Sequence, residues 1–406
     1  MAVCCRRLPR IPQFNSATHR ILQKDSQCIV QRRFFHDYWV QKGQNGVNLR
    51  VPILKARHHL GAISSRGDRR ENEDRFKVGL MNKLSETEEH QPFYFAIIDG
   101  YALFPLLSTI LKSRHGGQKC ADFVVNKLHT YVEDVIPGET KTILDTWRTD
   151  IGGYFRRFHP AILDEFLDKP DATEMTLDQR LTLGFLQADL AFLKENPDDE
   201  SGACVSVAMI ISNDQLPFWD SRNAEIHIAH VGDTKILLCH CETGHAHTMT
   251  PMHHPASTIE SDRLRKFGRA FATDSFGQER FGLLANTRAF GDSRMKRMGV
   301  SAEPDLTSIK LGSGAEEYAF IVLCTDGITG VMSDQEIVDV VKGVKEPSDA
   351  AKEIISFAES LGTDDNSSCL VVRLSGWGAE MPDLTKDMRD WRLRNEGIGS
   401  RTSRSR

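Results

Sequence analysis

The sequence predicts an α+β fold in which antiparallel sheets are covered by helices. Apolar runs of strand length recur along the chain, and stretches with the apolar spacing typical of helices lie between groups of them. Several strand-like runs follow one another directly, in the order of a meander and not in the alternating order of a doubly wound parallel sheet. The 406 residues, of which 40% are hydrophobic and 26% charged, are enough for one large or two ordinary domains.

Local patterns define the individual elements. The run from Phe93 to Ile98 is aromatic and β-branched and stops at Asp99-Gly100, which predicts a strand followed by a turn. Apolar residues at helical spacing predict a helix from Gln118 to about Ile136, which Pro137-Gly138 ends. The same arguments predict a helix over Leu177 to Glu195, strands over Cys204 to Ile211, Ile226 to Val231, Lys235 to Leu238 and Ala319 to Cys324, helices over about Asp334 to Val341 and Ser348 to Leu361, and a strand over Ser368 to Leu374.

Both ends of the chain are basic. Residues 1–35 carry many Arg and Lys residues against the single acid Asp25, mixed with apolar residues, and this composition predicts a mitochondrial transit peptide, with a disordered basic arm as the alternative. Residues 36–60 are polar and mixed and are expected to form a linker. The Arg-rich residues 376–406 predict a basic, mobile C-terminal tail, or a segment that docks on an acidic partner surface.

Charge, hydropathy and cysteine spacing argue against several classes of function. A formal net charge of -5 disfavours nucleic-acid binding, and no apolar run reaches the roughly 18–20 residues that a membrane span requires. We therefore expect a soluble mature protein. The cysteines lack CxxC spacing and are expected to be reduced core residues. A zinc hydrolase built on the Cys- and His-rich residues 239–254 is kept as an alternative, although the usual paired-ligand spacing is missing there.

Acidic residues recur where strand-like runs meet turns. They occur at Asn72-Glu73-Asp74, Asp99-Gly100, Gly232-Asp233, Asp326-Gly327 and Asp364-Asp365-Asn366. Carboxylates at strand ends can converge on one edge of a β-structure, where clusters of oxygen atoms hold hard divalent cations. Asp99 is the natural bridge between two ions, because it ends a buried strand and the neighbouring glycine lets a backbone carbonyl approach a cation. This arrangement predicts a two-metal hydrolase.

Short motifs occur in a definite order over residues 61–374. They are Ser65 to Asp74, Phe95 to Gly100, His115-Gly116-Gly117, Ser201 to Ala203, His230 to Thr234, Thr287 to Asp292, Glu303 to Asp305, Leu323 to Gly327 and Asp364 to Asn366. In order and spacing they resemble the metal-dependent serine/threonine protein phosphatases of type 2C, the PPM family, and in particular a mitochondrial, fungal-like member. The resemblance implies a type 2C phosphatase domain over residues 61–375, built as a four-layer αββα sandwich of two central antiparallel β-sheets flanked by helices.

The resemblance also implies a metal site and catalytic residues. It assigns two Mg²⁺ or Mn²⁺ ions to each active site. Asp233 with Asp326 matches the weaker third-metal site of the family, and Gly330 stands where many relatives have another aspartate. Arg69 matches the phosphate-binding arginine of the family, whose planar fork suits bidentate contact with phosphate, and His115 matches the candidate general acid. By position, the resemblance gives the metal ligands as Glu73, Asp99, Asp326, Asp365 and the carbonyl of Gly100. Asp74 would hold metal-bound water. Asp99, as the bridge between the ions, is counted as catalytic together with Arg69 and His115.

Accessory motifs that match the family are expected to serve the fold. Arg288 is expected to be a buried ion-pair partner, and Asp292 a turn residue. A loop and the helix after it are also expected to shape the fold and not the reaction. They match the family at Thr250, His254, Pro255, Glu260 and Arg263.

One motif is interrupted. The family reads Asp-Gly-His-Gly-Gly, whereas the mostly apolar residues 101–114 separate Asp99-Gly100 from His115 here. We interpret the segment as a translated, unspliced intron or an alternative isoform. The other interpretation is a loop that lets His115 return to its place, since the entropic cost of closing a loop grows slowly with its length. Misplacement of a catalytic group by about 1 Å can lower a rate about a hundredfold.

These observations give one main functional prediction and one alternative. The main prediction is an enzyme of the mitochondrial matrix that removes phosphate from serine and threonine in proteins, with matrix metabolic enzymes such as pyruvate dehydrogenase as the expected class of substrate. The alternative is a catalytically impaired pseudophosphatase that binds phosphoproteins or regulates a kinase. The retained metal carboxylates favour the enzyme, and the interrupted motif favours the alternative. The sequence leaves the oligomeric state open.

Overall fold

The computed structural model describes residues 35–42, 48–81, 84, 92–102, 117–169, 172–214, 216–266, 272–273, 279–280, 285–312 and 317–399. Within these residues the chain forms two main antiparallel sheets with helices on their outer faces. Residues 1–34 of the predicted leader and residues 103–116 of the interrupted motif lie outside the described residues. No helix in the described ranges has both the length and the apolar character needed to cross a bilayer.

The strands form two main sheets and two short pairs. In chain order they are β1 (Tyr38–Lys42), β2 (Asn48–Pro52), β3 (Leu60–Ser65), β4 (Arg75–Leu80), β5 (Phe93–Ala102), β6 (Ser201–Ser212), β7 (Ala224–Val231), β8 (Lys235–His240), β9 (Ala246–Thr248), β10 (Ala272–Thr273), β11 (Glu279–Arg280), β12 (Phe290–Gly291), β13 (Asp305–Leu311), β14 (Tyr318–Cys324) and β15 (Ser367–Arg373). The first sheet has the order β13-β7-β6-β5-β4, with β12 paired to β6, and the second has the order β3-β15-β14-β8-β9. Each of these pairs is antiparallel.

The helices cover the sheets. They are α1 (Gln118–Asp134), α2 (Thr140–Thr146), α3 (Asp164–Asp168), α4 (Leu177–Glu195), α5 (Thr258–Lys266), α6 (Ser293–Lys296), α7 (Asp326–Thr329), α8 (Asp334–Val341), α9 (Pro347–Ser360) and α10 (Lys386–Gly399). Capping boxes begin α4 and α8, formed by Thr176 with Gln179 and by Ser333 with Glu336. In a capping box the first residues of a helix satisfy each other's backbone donors, which explains where these two helices start.

Hydrophobic clusters define four layers. The central cluster lies between the two sheets and joins Phe95 and Ile97 of β5 to Leu323 of β14. Their neighbours Ala96 and Ile98 point to the opposite face, because side chains alternate along a strand, and they pack with α1 and α4. The outer face of the second sheet packs against α8 and α9. The predicted α+β fold of antiparallel sheets flanked by helices is confirmed.

Three segments differ from the expectations drawn from sequence. Residues 36–60, expected as a linker, contain the paired strands β1 and β2. Part of the expected mobile tail forms α10, in which Arg392 donates hydrogen bonds to Glu336 of α8. Strand β5 continues beyond Asp99 to Ala102. Polar segments without clear periodicity hide such elements, because their stability comes from contacts with the rest of the domain and not from local propensity.

Strand ends from both sheets carry the acidic residues. Asp99 lies near the end of β5, where it pairs with Cys204 of β6. Asp326 follows the end of β14, and Asp365 precedes the start of β15. We call this region the acidic edge and define it by Glu73, Asp74, Asp99, Asp233, Asp326 and Asp365.

Candidate active site

Carboxylates at the acidic edge influence one another's ionisation. Burial raises the pKa of Asp99 well above its usual range, and the charges of Asp326, Asp74 and Asp233 raise it further. Burial likewise raises the pKa of Asp326 to about 7 and the pKa of Asp74 to about 6, with contributions from neighbouring acids. Carboxylates that raise one another's pKa lie near each other without enough positive charge. A divalent cation at this place would therefore be favoured.

Asp74 has one satisfied and one unsatisfied oxygen. The hydroxyl of Thr325 donates to Asp74 Oδ2 at 2.8 Å, and the backbone N of Ser368 donates to Thr325 Oγ1 at 2.9 Å. The other oxygen, Asp74 Oδ1, is buried and has no hydrogen-bond partner among the described residues. Burying a carboxylate oxygen without a partner costs free energy. This atom therefore fits a place where water or a cation binds.

Glu73 is held from two sides. Its backbone N donates to Asn366 Oδ1 at 2.8 Å, and its Oε1 accepts from the backbone N of Gly117 at 2.7 Å. The amide of Asn366 also donates to the carbonyls of Arg66 and Glu71, at 2.7 and 3.1 Å. Burial raises the pKa of Glu73. Asn366, which follows Asp364-Asp365 in the last acidic motif, thus fixes the loop that carries Glu73 in the first.

Arg69 and Asp365 form an ion pair. Arg69 Nη2 lies 2.6 Å from Asp365 Oδ2, and 58% of the arginine side chain is exposed. Asp365 Oδ1 accepts from the backbone N of Asn366 at 2.8 Å. The predicted phosphate-binding group therefore contacts a predicted metal ligand directly, and much of it faces solvent.

Two side chains that sequence patterns did not reveal position the loop of Asp233. Asn286 Nδ2 donates to Asp233 Oδ2 at 2.9 Å and to Cys204 Sγ at 3.1 Å. His253 Nδ1 accepts from the backbone N of Gly232 at 2.9 Å. Gly232 has φ of 102°, and a Cβ added to it would lie 2.2 Å from Cys204 Sγ, so a larger residue does not fit there.

A buried set of ion pairs extends from the same loop. Arg288 Nη2 lies 2.7 Å from Glu260 Oε1, and Arg288 Nη1 lies 2.6 Å from Asp305 Oδ1. Arg263 Nη2 is 2.8 Å from the other oxygen of Glu260, and His253 Nε2 is 3.2 Å from Asp305 Oδ2. Burial alone would raise the pKa of Glu260, but the charges of Arg288 and Arg263 lower it. We call these five residues the arginine network. The predicted role of Arg288 as a buried ion-pair partner is confirmed.

The donor set of the acidic edge suits hard cations. Its side chains offer carboxylate oxygens, which Mg²⁺ and Mn²⁺ prefer, and the partnerless Asp74 Oδ1 belongs to it. In the part of the chain that the structure describes, no three His, Cys, Asp or Glu side chains are arranged to hold one metal ion. The acids thus lie along one edge, but their side chains do not form a complete coordination site in the described residues.

The alternative zinc site over residues 239–254 gains no support. Cys239 is buried in the core, with its Sγ 3.5 Å from Met381 Sδ. His247 Nδ1 lies 2.9 Å from the hydroxyl of Tyr318. These two side chains are therefore engaged in packing and in a hydrogen bond.

Comparison with known proteins decides the family. The model of the family described as "PP2C: Protein phosphatase 2C" matches residues 152–367. The chain belongs to the protein phosphatase 2C family. It is an enzyme, a protein serine/threonine phosphatase, and the PP2C family uses Mg²⁺ or Mn²⁺.

Individual relatives agree with this assignment. Protein phosphatase 2C homolog 4 of Schizosaccharomyces pombe is 38% identical over 372 residues, which cover 89% of this chain and 93% of the relative. Protein phosphatase 1K, mitochondrial, of Xenopus laevis is 29% identical over 323 residues, which cover 79% of this chain and 69% of the relative. The crystal structure of a serine-threonine phosphatase 2C from Toxoplasma gondii shares the fold, with a TM-score of 0.53 and 18% identity over 79% of this chain and 95% of that one.

The structure describes the residues on both sides of the segment that interrupts the PP2C motif. Tyr101 and Ala102 prolong β5 and pair with β6. On the far side of the segment, Gly117 packs against β5: a Cβ added to Gly117 would lie 2.0 Å from the backbone N of Tyr101 and 2.4 Å from the carbonyl carbon of Gly100. The chain therefore returns to the point that it left. The predicted general acid His115 lies outside the described residues.

Proposed function

We propose that this PP2C-family chain hydrolyses phosphoserine and phosphothreonine in mitochondrial proteins, with two Mg²⁺ or Mn²⁺ ions held at the acidic edge. The supporting observation is the shortage of positive charge there. Burial and neighbouring acids raise the pKa of Asp99, and a buried oxygen of Asp74 lacks a hydrogen-bond partner among the described residues. Divalent cations between the carboxylates would offset both effects.

Each acid has a proposed role. Asp99 would be the central ligand of the ions, and Asp74 would hold water at the site. Asp233 would belong to a weaker third site. When bound, the ions would supply Lewis acidity toward water and toward the phosphoryl oxygens. The remaining ligands would be Glu73, Asp326, Asp365 and the carbonyl of Gly100.

Two further groups would act on the substrate. The guanidinium of Arg69 is largely exposed and can make two parallel hydrogen bonds to a phosphoryl group. His115 would give a proton to the departing serine or threonine oxygen, in keeping with its place in the family motif. Because water would attack the phosphorus directly, no side chain is needed as a nucleophile and no phosphoenzyme would form.

We also propose a mitochondrial matrix location. The basic, acid-poor composition of residues 1–35 supports it, as does similarity to a relative whose name includes the word mitochondrial. The proposed organisation is a leader over 1–35, a segment over 36–60 that carries β1 and β2, the phosphatase domain over 61–375 and a basic tail over 376–406 that includes α10. The expected substrates are phosphorylated proteins, with matrix metabolic enzymes such as pyruvate dehydrogenase as the class to test first.

A second candidate function rests on the interrupted motif. Residues 101–114 separate the Asp99-Gly100 pair from the histidine that directly follows it in the family pattern. A chain with this histidine displaced would be a weak enzyme or a pseudophosphatase that binds phosphoproteins. An unspliced intron would explain the segment equally well, and the spliced transcript across codons 95–120 would then lack it.

One experiment separates these candidates. The full chain and a variant lacking residues 101–114 are compared for Mn²⁺-dependent release of phosphate from phosphoserine and phosphothreonine peptides, with Asp99→Asn in each as the control. We expect turnover by the full chain that disappears in Asp99→Asn. Turnover by the shortened variant but not by the full chain would support the second candidate, in which residues 101–114 impair catalysis. A folded pair of proteins without metal-dependent turnover would contradict the proposed hydrolysis.

A further inference from the structure

We propose that Tyr101 is a positioning residue, and that its hydrogen bond to Asp292 fixes the end of β5 so that Asp99 and Glu73 keep their places beside the interrupted motif. We call this pair the Tyr101–Asp292 clamp. The inference rests on the proposed function, since it concerns the metal ligands of the same site. It gives a role to the first residue of a segment that otherwise only interrupts the family pattern.

The ring of Tyr101 has a place built for it. Tyr101 lies opposite Gly202 in the pairing of β5 with β6. A Cβ added to Gly202 would lie 2.7 Å from ring carbons of Tyr101 and 2.7 Å from Asp292 Oδ2. Only a residue without a side chain leaves room for this ring. Ala102 continues the pairing for one more residue, so the first part of the inserted segment belongs to the sheet.

The hydroxyl of Tyr101 has a specific acceptor. It donates to Asp292 Oδ2 at 2.6 Å. Asp292 is fully buried, and its other oxygen, Oδ1, has no hydrogen-bond partner among the described residues. The hydroxyl of Tyr101 is therefore a side-chain donor to a buried carboxylate whose other oxygen is unsatisfied, and its loss would remove the hydrogen bond to Oδ2 as well.

Asp292 is itself held in place, so it can serve as an anchor. Its backbone has φ of 50°, a left-handed conformation, and its N donates to the carbonyl of Ser201 at 3.0 Å. The preceding residue, Gly291, donates its N to Asp189 Oδ1 at 2.7 Å. Asp189 forms a buried ion pair with Lys296 at 2.6 Å. The acceptor end of the clamp is thus tied to α4 and α6.

The donor end of the clamp adjoins the metal ligands. Asp99 lies two residues before Tyr101 on the same strand, so both side chains extend from the same face of β5. Gly117 packs on the backbone of Tyr101 and donates its N to Glu73 Oε1 at 2.7 Å. A shift of Tyr101 would therefore move one ligand through the strand and the other through Gly117. Loss of a group that is hydrogen-bonded to a metal ligand typically lowers metal affinity by about 10- to 100-fold, and Gly117 is such a group for Glu73.

The test measures Mn²⁺ binding by calorimetric titration on the full chain, with phosphopeptide kinetics as a second readout. Tyr101→Phe removes the hydroxyl and keeps the ring, and Tyr318→Phe is the matched control, since it removes another tyrosine hydroxyl that bonds a side chain, His247, elsewhere in the fold. We expect Tyr101→Phe to weaken Mn²⁺ binding about tenfold and to lower kcat more than it raises KM. We expect Tyr318→Phe to leave Mn²⁺ binding unchanged.

A second variant guards against a general effect on folding. Asp292→Leu keeps the approximate size of the side chain and removes the acceptor. The double variant Tyr101→Phe/Asp292→Leu should therefore bind Mn²⁺ no more weakly than Asp292→Leu alone, because each single change breaks the same hydrogen bond. Additive losses, or wild-type Mn²⁺ affinity in Tyr101→Phe, would overturn the clamp while leaving an active wild type intact. If the wild type binds Mn²⁺ but shows no turnover, and Tyr101→Phe loses that binding, the clamp is supported and the phosphatase activity is contradicted.

Discussion

The acidic edge and the arginine network both bury carboxylates, with opposite results. At the acidic edge, burial and like charges raise the pKa of Asp99 and Asp326. In the arginine network, the charge of Arg288 lowers the pKa of Glu260 against the effect of burial, and Asp305 also has a lowered pKa. The two regions are neighbours through the loop of Asp233, yet only one of them has its charges balanced by the chain.

The difference separates two uses of buried charge. A carboxylate that the chain pairs with arginine serves to hold one structure together, and removing its partner is strongly destabilising. A carboxylate that the chain leaves among other acids is a candidate for binding a cation or proton. In these two regions the direction of the pKa shift follows whether the chain supplies a cation to the buried carboxylate.

The largest effect is expected at Asp99. Asp99→Asn should lower kcat/KM for a phosphopeptide by about 10³-fold or more, because metal ions contribute several kcal/mol to such reactions and each 1.4 kcal/mol is worth about tenfold. The same change removes one repelling charge, so the Tm measured in EDTA should not fall. Turnover close to wild type would show that the acidic edge does not carry the reaction.

The next effect should appear in the arginine network. Arg288→Met leaves Glu260 and Asp305 without their shared cation, and we expect the free energy of unfolding to fall by about 3–5 kcal/mol in urea titrations. The matched control is Arg57→Met, which breaks an exposed pair with Glu346 at 3.3 Å and should cost less than about 1 kcal/mol. If the two variants lose equal free energy of unfolding, the arginine network contributes no more to stability than an exposed ion pair.

Cation binding gives the third effect. Mn²⁺ at about 100 times its Kd should raise the free energy of unfolding by about 2.7 kcal/mol, and EDTA should reverse the gain. Asp326→Asn should lose most of this gain. Asp349→Asn, which changes an acid paired with Lys352, should keep it. A gain that survives Asp326→Asn would place the cation elsewhere in the molecule.

The smallest effect is an acid-dependent one at Asp305. Burial would raise the pKa of Asp305, but the contact with His253 and the charge of Arg288 lower it from 3.8 to about 2. The ionised form therefore stabilises the fold fully above about pH 4, and this stability is lost as the pH falls toward about 2. We expect the free energy of unfolding, measured in urea, to be about 1–2 kcal/mol higher for the wild type than for Asp305→Asn at pH 6. We expect a smaller difference at pH 3. A constant difference would contradict the assignment.

The sequence was most informative where a local rule applies. The acids could be located because each ends or begins a strand-like run, and strand ends meet at the edge of a sheet. The bounds of α4, Leu177–Glu195, and of α8, Asp334–Val341, match the prediction, because helical periodicity and a capping box coincide in both.

Partners across the fold could not be predicted in the same way. Tyr101 and Asp292 are 191 residues apart, and no local pattern links them. The sequence drew attention to His254, whereas the adjacent His253 contacts Gly232 and Asp305. Neighbouring residues of the same type give no sign of which one faces inward. Such choices are made by tertiary packing, which spacing along the chain does not encode.

The ion pair between Arg69 and Asp365 has a consequence for the order of events at the site. A cation bound by Asp365 would compete with the guanidinium for its oxygens and would leave Arg69 free to pair with an incoming anion. Metal uptake and retention of the phosphorylated residue would then reinforce each other by an equal factor in both directions. Scarcity of divalent ions would thus reduce how long a substrate stays bound as well as how fast it is cleaved.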